Sequence, residues 1–194
     1  MNELYVATKN KHKIIEIQKK LVPLGYHVLS LLDVNKELDI IEDQDSFEGN
    51  ALKKAMTLYD IIKKPVLADD SGLMVDALDG APGVFSARYA GEEARDDENN
   101  RLLLENLQTV ETRDARFCTV MVLVGVEKNP VYAYGYLEGE IAYKARGENG
   151  FGYDPIFIVK GENRHLAEYT LEEKNEISHR GKAMEEIIRY LKTT

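Results

Sequence analysis

The stretch LYVATKNKHKIIEIQKKL, residues 4–21, changes its hydrophobic period from that of a strand to that of a helix. The apolar run at its start predicts a short strand over Met1–Thr8. Ile14, Ile17 and Leu21 then recur at helical spacing, which predicts a helix over Asn10–Leu21. A strand, a polar turn and a helix in this order are typical of the opening unit of an α/β fold.

Strand and helix patterns continue to alternate along the chain. Further strands are predicted over Val28–Leu32, Val66–Ala68, Ala115–Glu127 and Val131–Lys144, the last two pairing around a turn. Helices are predicted over Phe47–Lys63, Asp96–Leu107 and Glu172–Leu191, and loops with little regular structure over Gly72–Gly91. With no repeat or linker, residues 1–194 are expected to form a single domain. The order favours an α/β fold, with one mixed, twisted sheet, flanking helices and two lobes around a central cleft.

Composition limits the classes of function. The chain has 34 acidic and 25 basic side chains and a net charge of -9, so we expect no broad nucleic-acid surface. The single cysteine, Cys118, lies in an apolar segment and is expected to be buried rather than nucleophilic. There is no secretory signal and no apolar run of ~18 residues, so we expect no membrane role and a cytoplasmic location.

The polar turn between the first strand and the first helix is a candidate phosphate site. It comprises Thr8, Lys9, Asn10, Lys11, His12 and Lys13. A helix N-terminus offers backbone amides and a partial positive charge, and Lys13 is placed to reach a bound phosphate. The turn lacks the glycines of a Walker loop. An ordinary capped helix with solvated lysines is the alternative interpretation.

Paired acids follow the short strand at 66–68. A divalent cation is commonly held by two carboxylates at a strand end, here Asp69 and Asp70, beside the glycine at 72. Mg²⁺ would bridge phosphate oxygens there and leave one carboxylate to activate a water. Glu42, Asp43 and Asp45 are candidates to complete the metal shell. An acidic turn that caps a helix, and a solvated acidic loop, are the alternatives.

Two later segments carry further candidates. In Gly147–Pro155, glycines flank an aromatic residue before Asp154, an arrangement that brings backbone, a ring and an acceptor close to a flat ligand. In the polar segment 173–180, Lys174 and Arg180 are placed to complement phosphate or carbonyl oxygens. A structural turn and a charged helix N-terminus are the respective alternatives.

Together, these blocks closely resemble the inosine triphosphate pyrophosphatase family, which removes non-canonical purine nucleotides. The matching motifs, nearly end to end along the chain, are Thr8-x-Asn10-x-x-Lys13, Phe47–Ala51 with Lys53–Ala55, Leu67–Leu73, Pro82–Gly91, Phe151–Pro155, Glu173–Asn175 and Ile177–Arg180. The resemblance implies an elongated α/β fold with a central nucleotide cleft, and a homodimer. One departure is visible, because many relatives have Glu where Gly49 stands here.

The resemblance also implies a role for each matching residue. The substrate-binding residues would be Thr8, Lys9, Asn10, Lys11, His12, Lys13, Ser71, Phe151, Gly152, Tyr153, Asp154, Lys174, His179 and Arg180. Mg²⁺ would be the cofactor, with Asp70 and Glu42 as metal ligands, although Asp43, Asp45 and Asp69 stay open for the second position. Asp70 would also be the catalytic proton acceptor.

The expected reaction is hydrolysis of ITP, dITP or XTP to the monophosphate and pyrophosphate. Asp70 would orient or deprotonate the attacking water. Arg180 would donate to the six-position carbonyl of hypoxanthine or xanthine, where adenine carries an amine. Two alternatives are a pyrophosphatase of septum-inhibitor type and a nucleotide-binding regulator without turnover.

Overall fold

The computed structural model describes residues 2–34 and 37–193. The strands are β1 (Asn2–Val6), β2 (Tyr26–Ser30), β3 (Val66–Val75), β4 (Asp114–Val124), β5 (Val131–Ile141) and β6 (Phe157–Val159). The α-helices are α1 (Lys11–Leu21), α2 (Leu31–Val34), α3 (Phe47–Ile62), α4 (Asp96–Asn106), α5 (Leu171–Ile177) and α6 (His179–Leu191). Short 3₁₀ turns occupy Val22–Leu24, Asp76–Leu78, Gly83–Arg88, Asp154–Ile156 and Leu166–Glu168.

The strands form one mixed sheet in the order β2-β1-β3-β4-β5-β6. β1 runs parallel to both β2 and β3, whereas β5 and β6 are antiparallel. The parallel pairs require helical crossovers, and α1 and α3 provide the chain for them. The predicted α/β fold with a mixed sheet and flanking helices is therefore confirmed.

The chain divides into two compact units. The first combines Met1–Asp70, Thr119–Gly135 and Gly181–Thr194, and the second combines Ser71–Cys118 and Tyr136–Arg180. Strands β3, β4 and β5 each contribute residues to both units. The single domain predicted for residues 1–194 stays a prediction.

Each unit has its own apolar core. The core of the first unit contains Leu4, Val6, Ile17, Leu21, Met121, Leu123, Met184 and Ile187. The core of the second contains Leu73, Leu103, Leu107, Phe117, Leu137, Ile156, Phe157 and Leu166. Each fully buried leucine in these cores contributes about 1.5–3 kcal/mol by leaving water. Cys118 is buried, as predicted.

Most of the predicted helices and strands are confirmed, with small differences at their ends. The predicted helices at 10–21, 47–63 and 96–107 correspond to α1, α3 and α4. The first predicted strand corresponds to β1, and Met1 lies outside the described residues. The strands predicted at 115–127 and 131–144 are the neighbours β4 and β5. Among the described residues, no helix is long and apolar enough to cross a membrane.

Three predictions were wrong. β3 does not end at Ala68 but continues through the paired acids to Val75, and two 3₁₀ turns follow it within the predicted loop region. Residues 31–32, predicted as strand, begin α2, because Asp33 accepts hydrogen bonds from the backbone and hydroxyl of Ser30 and ends β2 there. The C-terminal helical segment is two helices, because Ser178 adopts an extended conformation with ψ 156°.

Candidate active site

Buried acids on β3 form the centre of a charged group, here called the carboxylate cluster: Glu42, Asp69 and Asp70 with Lys13 and Lys54. Asp69 and Asp70 are 1% and 5% exposed in the middle of the strand. Consecutive strand residues point to opposite faces, so each acid needs its own partner. Asp69 pairs with Lys13 of α1 at 2.9 Å, whereas Asp70 faces side chains from α3.

Helix α3 places two polar side chains against Asp70. Asn50 and Lys54 are four residues apart and therefore lie on one face of the helix. Asn50 Nδ2 donates to Asp70 Oδ2 at 3.0 Å, and Lys54 Nζ lies 3.8 Å from Asp70 Oδ1. Burial raises the pKa of Asp70, an effect opposed by Lys54 and reinforced by Glu42. A carboxyl with a raised pKa is suited to accept a proton near neutral pH.

The ammonium of Lys54 joins two of the acids. It donates to Glu42 Oε1 in a short contact and lies beside Asp70, so both carboxylates share one positive charge. Burial alone would lower the pKa of Lys54, but the charges of Asp70 and Glu42 raise it above its ordinary value. Sequence reasoning gave Lys54 no role. Two signals were available: Lys54 lies in the matching motif Lys53–Ala55, and it is four residues from Asn50.

The acids predicted as candidate metal ligands have different partners. Asp43 pairs with Lys53 at 2.7 Å, Asp45 is exposed, and Asp69 pairs with Lys13. Glu42 is the acid that shares the ammonium of Lys54 with Asp70, and its role as a metal ligand stays a prediction.

The donor set in the carboxylate cluster fits Mg²⁺. Within residues 2–34 and 37–193, no three His, Cys, Asp or Glu side chains group closely enough to form a metal cage. Mg²⁺ commonly takes one or two carboxylates and completes its shell with substrate phosphates and water. Glu42 and Asp70 supply hard oxygen ligands of this kind, and both lie beside the ammonium of Lys54.

The turn at residues 8–13 differs from the predicted phosphate cradle in one respect. Asn10 is the N-cap of α1, and its Oδ1 accepts from the amides of His12 and Lys13 at 3.0 and 3.2 Å. Those two amides therefore already donate hydrogen bonds to Asn10, whereas the sequence predicted backbone amides that are available to bind phosphate. The Thr8 hydroxyl oxygen accepts from the amide of Asn10.

The four basic side chains of this turn have different environments. Lys13 reaches the buried Asp69, and Lys9 lies 3.6 Å from Asp39. Lys11 and His12 are exposed. Lys13 is thus the basic residue of the turn that the structure brings to the carboxylate cluster.

The second unit contains an aromatic loop, residues 147–155, which presents a ring to two cations. Lys174 Nζ lies 4.5 Å and Arg180 Cζ 5.7 Å from the centroid of the Phe151 ring. Cations at these distances are attracted to the ring face and align along it. Arg180 Nη2 also donates to Ser71 Oγ at 3.3 Å. Ser71 follows Asp70 directly in β3.

Asp154 organises the aromatic loop from inside. Its carboxylate is 2% exposed, and Oδ2 accepts from both Lys174 Nζ at 2.6 Å and the Phe151 amide at 2.9 Å. A Cβ at Gly150 would overlap that carboxylate, and Gly150 has φ +79°, so no larger residue fits there. At least one oxygen of Asp154, predicted as an acceptor for the ligand, is therefore already used by the protein.

Two further predicted residues of this unit, Tyr153 and His179, are buried. The Tyr153 ring lies in the apolar core, and its hydroxyl donates to the Ser86 carbonyl at 2.8 Å. This burial raises the pKa of Tyr153, and the role of Tyr153 in substrate binding stays a prediction. His179 stacks on Phe117, with centroids 4.9 Å apart and planes at 10°, beside Arg180 in the first turn of α6.

The glycine that departs from the family pattern also has a local reason. A Cβ at Gly49 would lie 2.8 Å from Gln44 Cβ, and the Gly49 amide donates to the cap residue Ser46. The amide of Gln44 in turn donates to Asn50 Oδ1 at 2.9 Å. A glycine therefore lets the segment before α3 approach closely enough to hold Asn50, which bonds Asp70.

Comparison with known proteins places these residues in a family. A dITP/XTP pyrophosphatase from Clostridium tetani is 46% identical over all of this chain and 98% of its own length. A dITP/XTP pyrophosphatase from Shouchella clausii is 49% identical over 95% of this chain and 93% of its own. The structure of a HAM1 protein from Coxiella burnetii has a TM-score of 0.92 at 41% identity, with both chains fully covered. The Ham1 family model matches residues 4–190, and the chain belongs to that family.

Proposed function

We propose that this protein hydrolyses dITP, ITP and XTP to the nucleoside monophosphate and pyrophosphate, and that it requires Mg²⁺. The observation that carries the proposal is the buried Asp70, which has a raised pKa and lies beside Lys54 and Glu42. The names of the relatives from Clostridium tetani and Shouchella clausii support the choice of substrates.

In this proposal, Asp70 accepts the proton of the water that attacks the α-phosphorus. Asn50 holds one oxygen of that carboxylate, which leaves its other oxygen facing Lys54. When bound by Glu42 and Asp70, Mg²⁺ supplies positive charge to the phosphate oxygens. Pyrophosphate leaves with more charge than it carries in the substrate, so Lys13 and Lys54 stabilise the transition state more than the ground state.

Purine recognition is assigned to the second unit. The Phe151 ring offers an apolar face to a base, and Arg180 offers a planar donor to the six-position carbonyl. Adenine has an amine at that position and would leave the donor unpaired. Lys174 is fixed by Asp154 and carries a positive charge at the same ring.

The proposal is tested by measuring pyrophosphate release from dITP, ITP, XTP, ATP and GTP, with Mg²⁺ and after chelation. We expect dITP, ITP and XTP to be hydrolysed much faster than ATP and GTP, and all turnover to be lost without the metal. Release of orthophosphate instead of pyrophosphate would contradict the proposed bond cleavage. Equal rates with ATP would contradict the proposed base selectivity.

Neither alternative function is favoured. A septum-inhibitor-type pyrophosphatase would act on other nucleotides in the same assay, and a regulator would bind without product. The predicted homodimer and cytoplasmic location are retained as proposals. Light scattering of the purified protein tests the first, and fractionation of cells tests the second.

A further inference from the structure

Two side chains of helix α4 bond to the backbone amide and the backbone carbonyl of Gly152 in the aromatic loop. Asp96 Oδ2 accepts from the amide of Gly152 at 2.7 Å, and Asn100 Nδ2 donates to the carbonyl of Gly152 at 3.0 Å. The two side chains are four residues apart and lie on the same face of α4. Gly152 has φ +64°, a left-handed conformation that these two bonds hold in place.

A cavity adjoins this part of the loop. A cavity of about 720 Å³ lies between α4 and the loop, lined on one side by Asn100 and Leu104 and on the other by Gly150, Phe151 and Gly152. On this side the loop backbone borders open space as well as side chains of α4. The position of the loop backbone there depends on directional hydrogen bonds more than on packing.

Gly152 directly follows the residue that faces the two cations. The amide of Phe151 is held by Asp154, and the next peptide by Asp96 and Asn100. A change at either end of Gly152 therefore turns the Phe151 ring relative to Lys174 and Arg180. A ring displaced by about 1 Å is enough to weaken recognition of a bound group.

We propose that Asp96 and Asn100 are positioning residues for purine recognition, acting through the Gly152 peptide without touching substrate. The inference rests on the proposed function. It assigns specificity to a helix outside the matching motifs of the family. The two residues act as a pair: an acceptor at 96 and a donor at 100 match the amide and the carbonyl of the same residue.

The test compares, in the whole protein, substitutions that keep the shape of the side chain with truncations to alanine. Asn100→Asp replaces the donor by an acceptor that repels the Gly152 carbonyl, whereas Asn100→Ala only removes the bond. We expect KM for dITP to rise about tenfold or more in Asn100→Asp and about threefold in Asn100→Ala, with kcat changed less than KM. Asp96→Asn keeps an acceptor oxygen and should restore most of what Asp96→Ala loses.

Asp97→Asn is the matched control. Asp97 is adjacent on α4, is exposed, and pairs with Arg95 at 3.0 Å rather than with the loop. The substitution changes charge by the same amount as Asp96→Asn but should leave KM unchanged. Equal effects of Asn100→Asp and Asn100→Ala, or parallel losses in kcat for all substrates, would overturn the positioning role.

A second measurement does not depend on catalysis. Hydrogen exchange at the Gly152 amide should be at least about tenfold faster in Asp96→Ala than in the wild type, because its bonding partner is removed. The Asn149 amide, which donates to Ala167, should be unchanged. If the wild type releases no pyrophosphate, the proposed function fails, and exchange still decides the contact. Unchanged exchange at Gly152 would contradict the inference itself.

Discussion

The carboxylate cluster and the aromatic loop hold their lysines in contrasting ways. In the cluster, Lys54 donates a hydrogen bond to Glu42, whereas its Nζ lies 3.8 Å from Asp70 Oδ1. In the loop, Lys174 has Asp154 as a close acidic partner at 2.6 Å, and its Nζ lies 4.5 Å from the centroid of the Phe151 ring. In the cluster, the single positive charge of Lys54 is shared by two negative carboxylates. In the loop, the positive charge of Lys174 is neutralised by one carboxylate.

This difference separates two kinds of function. A group whose charges are incompletely matched responds strongly to an added metal or phosphate, because those ions complete the balance. The ion pair of Lys174 with Asp154 is matched in charge and keeps its geometry when a neutral base arrives. We therefore expect substitutions in the carboxylate cluster to affect turnover of every triphosphate. Substitutions in the aromatic group, which is Phe151 with Lys174 and Arg180, should affect selection among bases.

The largest effect is expected at Asp70. Asp70→Asn keeps the size of the side chain but removes the proton acceptor and the charge, and should lower kcat at least about 100-fold for all substrates. Steady-state assays at saturating Mg²⁺ measure it. Asp43→Asn, which changes an exposed acid paired with Lys53, is the control and should retain activity. Near-normal turnover of Asp70→Asn would remove Asp70 from the mechanism.

Lys54→Ala should have the next largest effect, lowering kcat/KM by about 10- to 100-fold through loss of a charged contact. Lys54 opposes the rise in the pKa of Asp70, so its removal raises that pKa further. The base is then ionised only at higher pH, and the acidic limb of the pH profile of kcat/KM should move upward.

Lys53→Ala is the matched control for Lys54. Lys53 is the preceding residue, is partly exposed, and pairs with Asp43 outside the cluster. Its substitution should leave both the rate and the pH profile in place. A shift of equal size in the two variants would show a general charge effect. Thermal melting of Lys54→Ala checks that the buried acids still fold around Asn50.

Lys13→Ala should raise KM and lower kcat, together reducing kcat/KM by about tenfold. The loss reflects charge that grows on the leaving pyrophosphate. Lys11→Ala is its control, because Lys11 is exposed in the same turn. If both variants keep the wild-type kcat/KM, Lys13 serves only to neutralise Asp69.

Arg180→Ala should alter selectivity more than rate. Loss of a charged donor to the six-position carbonyl lowers kcat/KM for ITP by about tenfold or more, with a smaller change for ATP, which has no acceptor there. The ratio of the two kcat/KM values in wild type and variant measures this. An equal fall in kcat/KM for both nucleotides would indicate that Arg180 binds the phosphates. Base selection would then not be a separate function of the aromatic loop.

The parts of the fold that depend on local signals could be predicted from the sequence. Helices α1 and α3 begin where Asn10 and Ser46 cap them, and their apolar spacing extends to the observed ends. The break at Ser178 could not be predicted, because the pattern on both sides of it is helical. Its extended backbone places Arg180 in the first turn of a new helix.

The candidate site was predicted as a set of residues but not as a set of contacts. Two acids in a strand centre oppose the usual exclusion of charge from such positions, so the sequence suggested that β3 ends before them. Their burial depends on Lys13 and Lys54, which come from helices 56 and 16 residues earlier than Asp69 and Asp70 respectively. Ion pairs over such separations leave no periodic signal in the sequence.

The smallest effect on activity is expected just outside the aromatic group, at Glu173. Arg164 donates to both oxygens of this carboxylate, and the Thr170 amide donates to it as well, lowering the pKa of Glu173 to about 2 from its ordinary 4.5. A depressed carboxyl pKa contributes stability that is complete above the unfolded value and is lost as pH falls toward the folded value. Glu173→Gln should therefore melt below the wild type above about pH 5, and the difference should close between pH 4.5 and about 2.

Glu176→Gln, an exposed position on the same helix, is the control for this melting series. It should follow the wild type across the whole pH range. Activity at pH 7 gives the second readout, since Glu173 contacts Arg164 and the helix cap rather than the Phe151 ring. We expect kcat/KM for dITP to change less than twofold in Glu173→Gln, as for a residue that stabilises helix α5. A larger loss of kcat/KM without a change in melting temperature would mean that Glu173 belongs to the aromatic group. Substitutions there would then not be confined to effects on selection among bases.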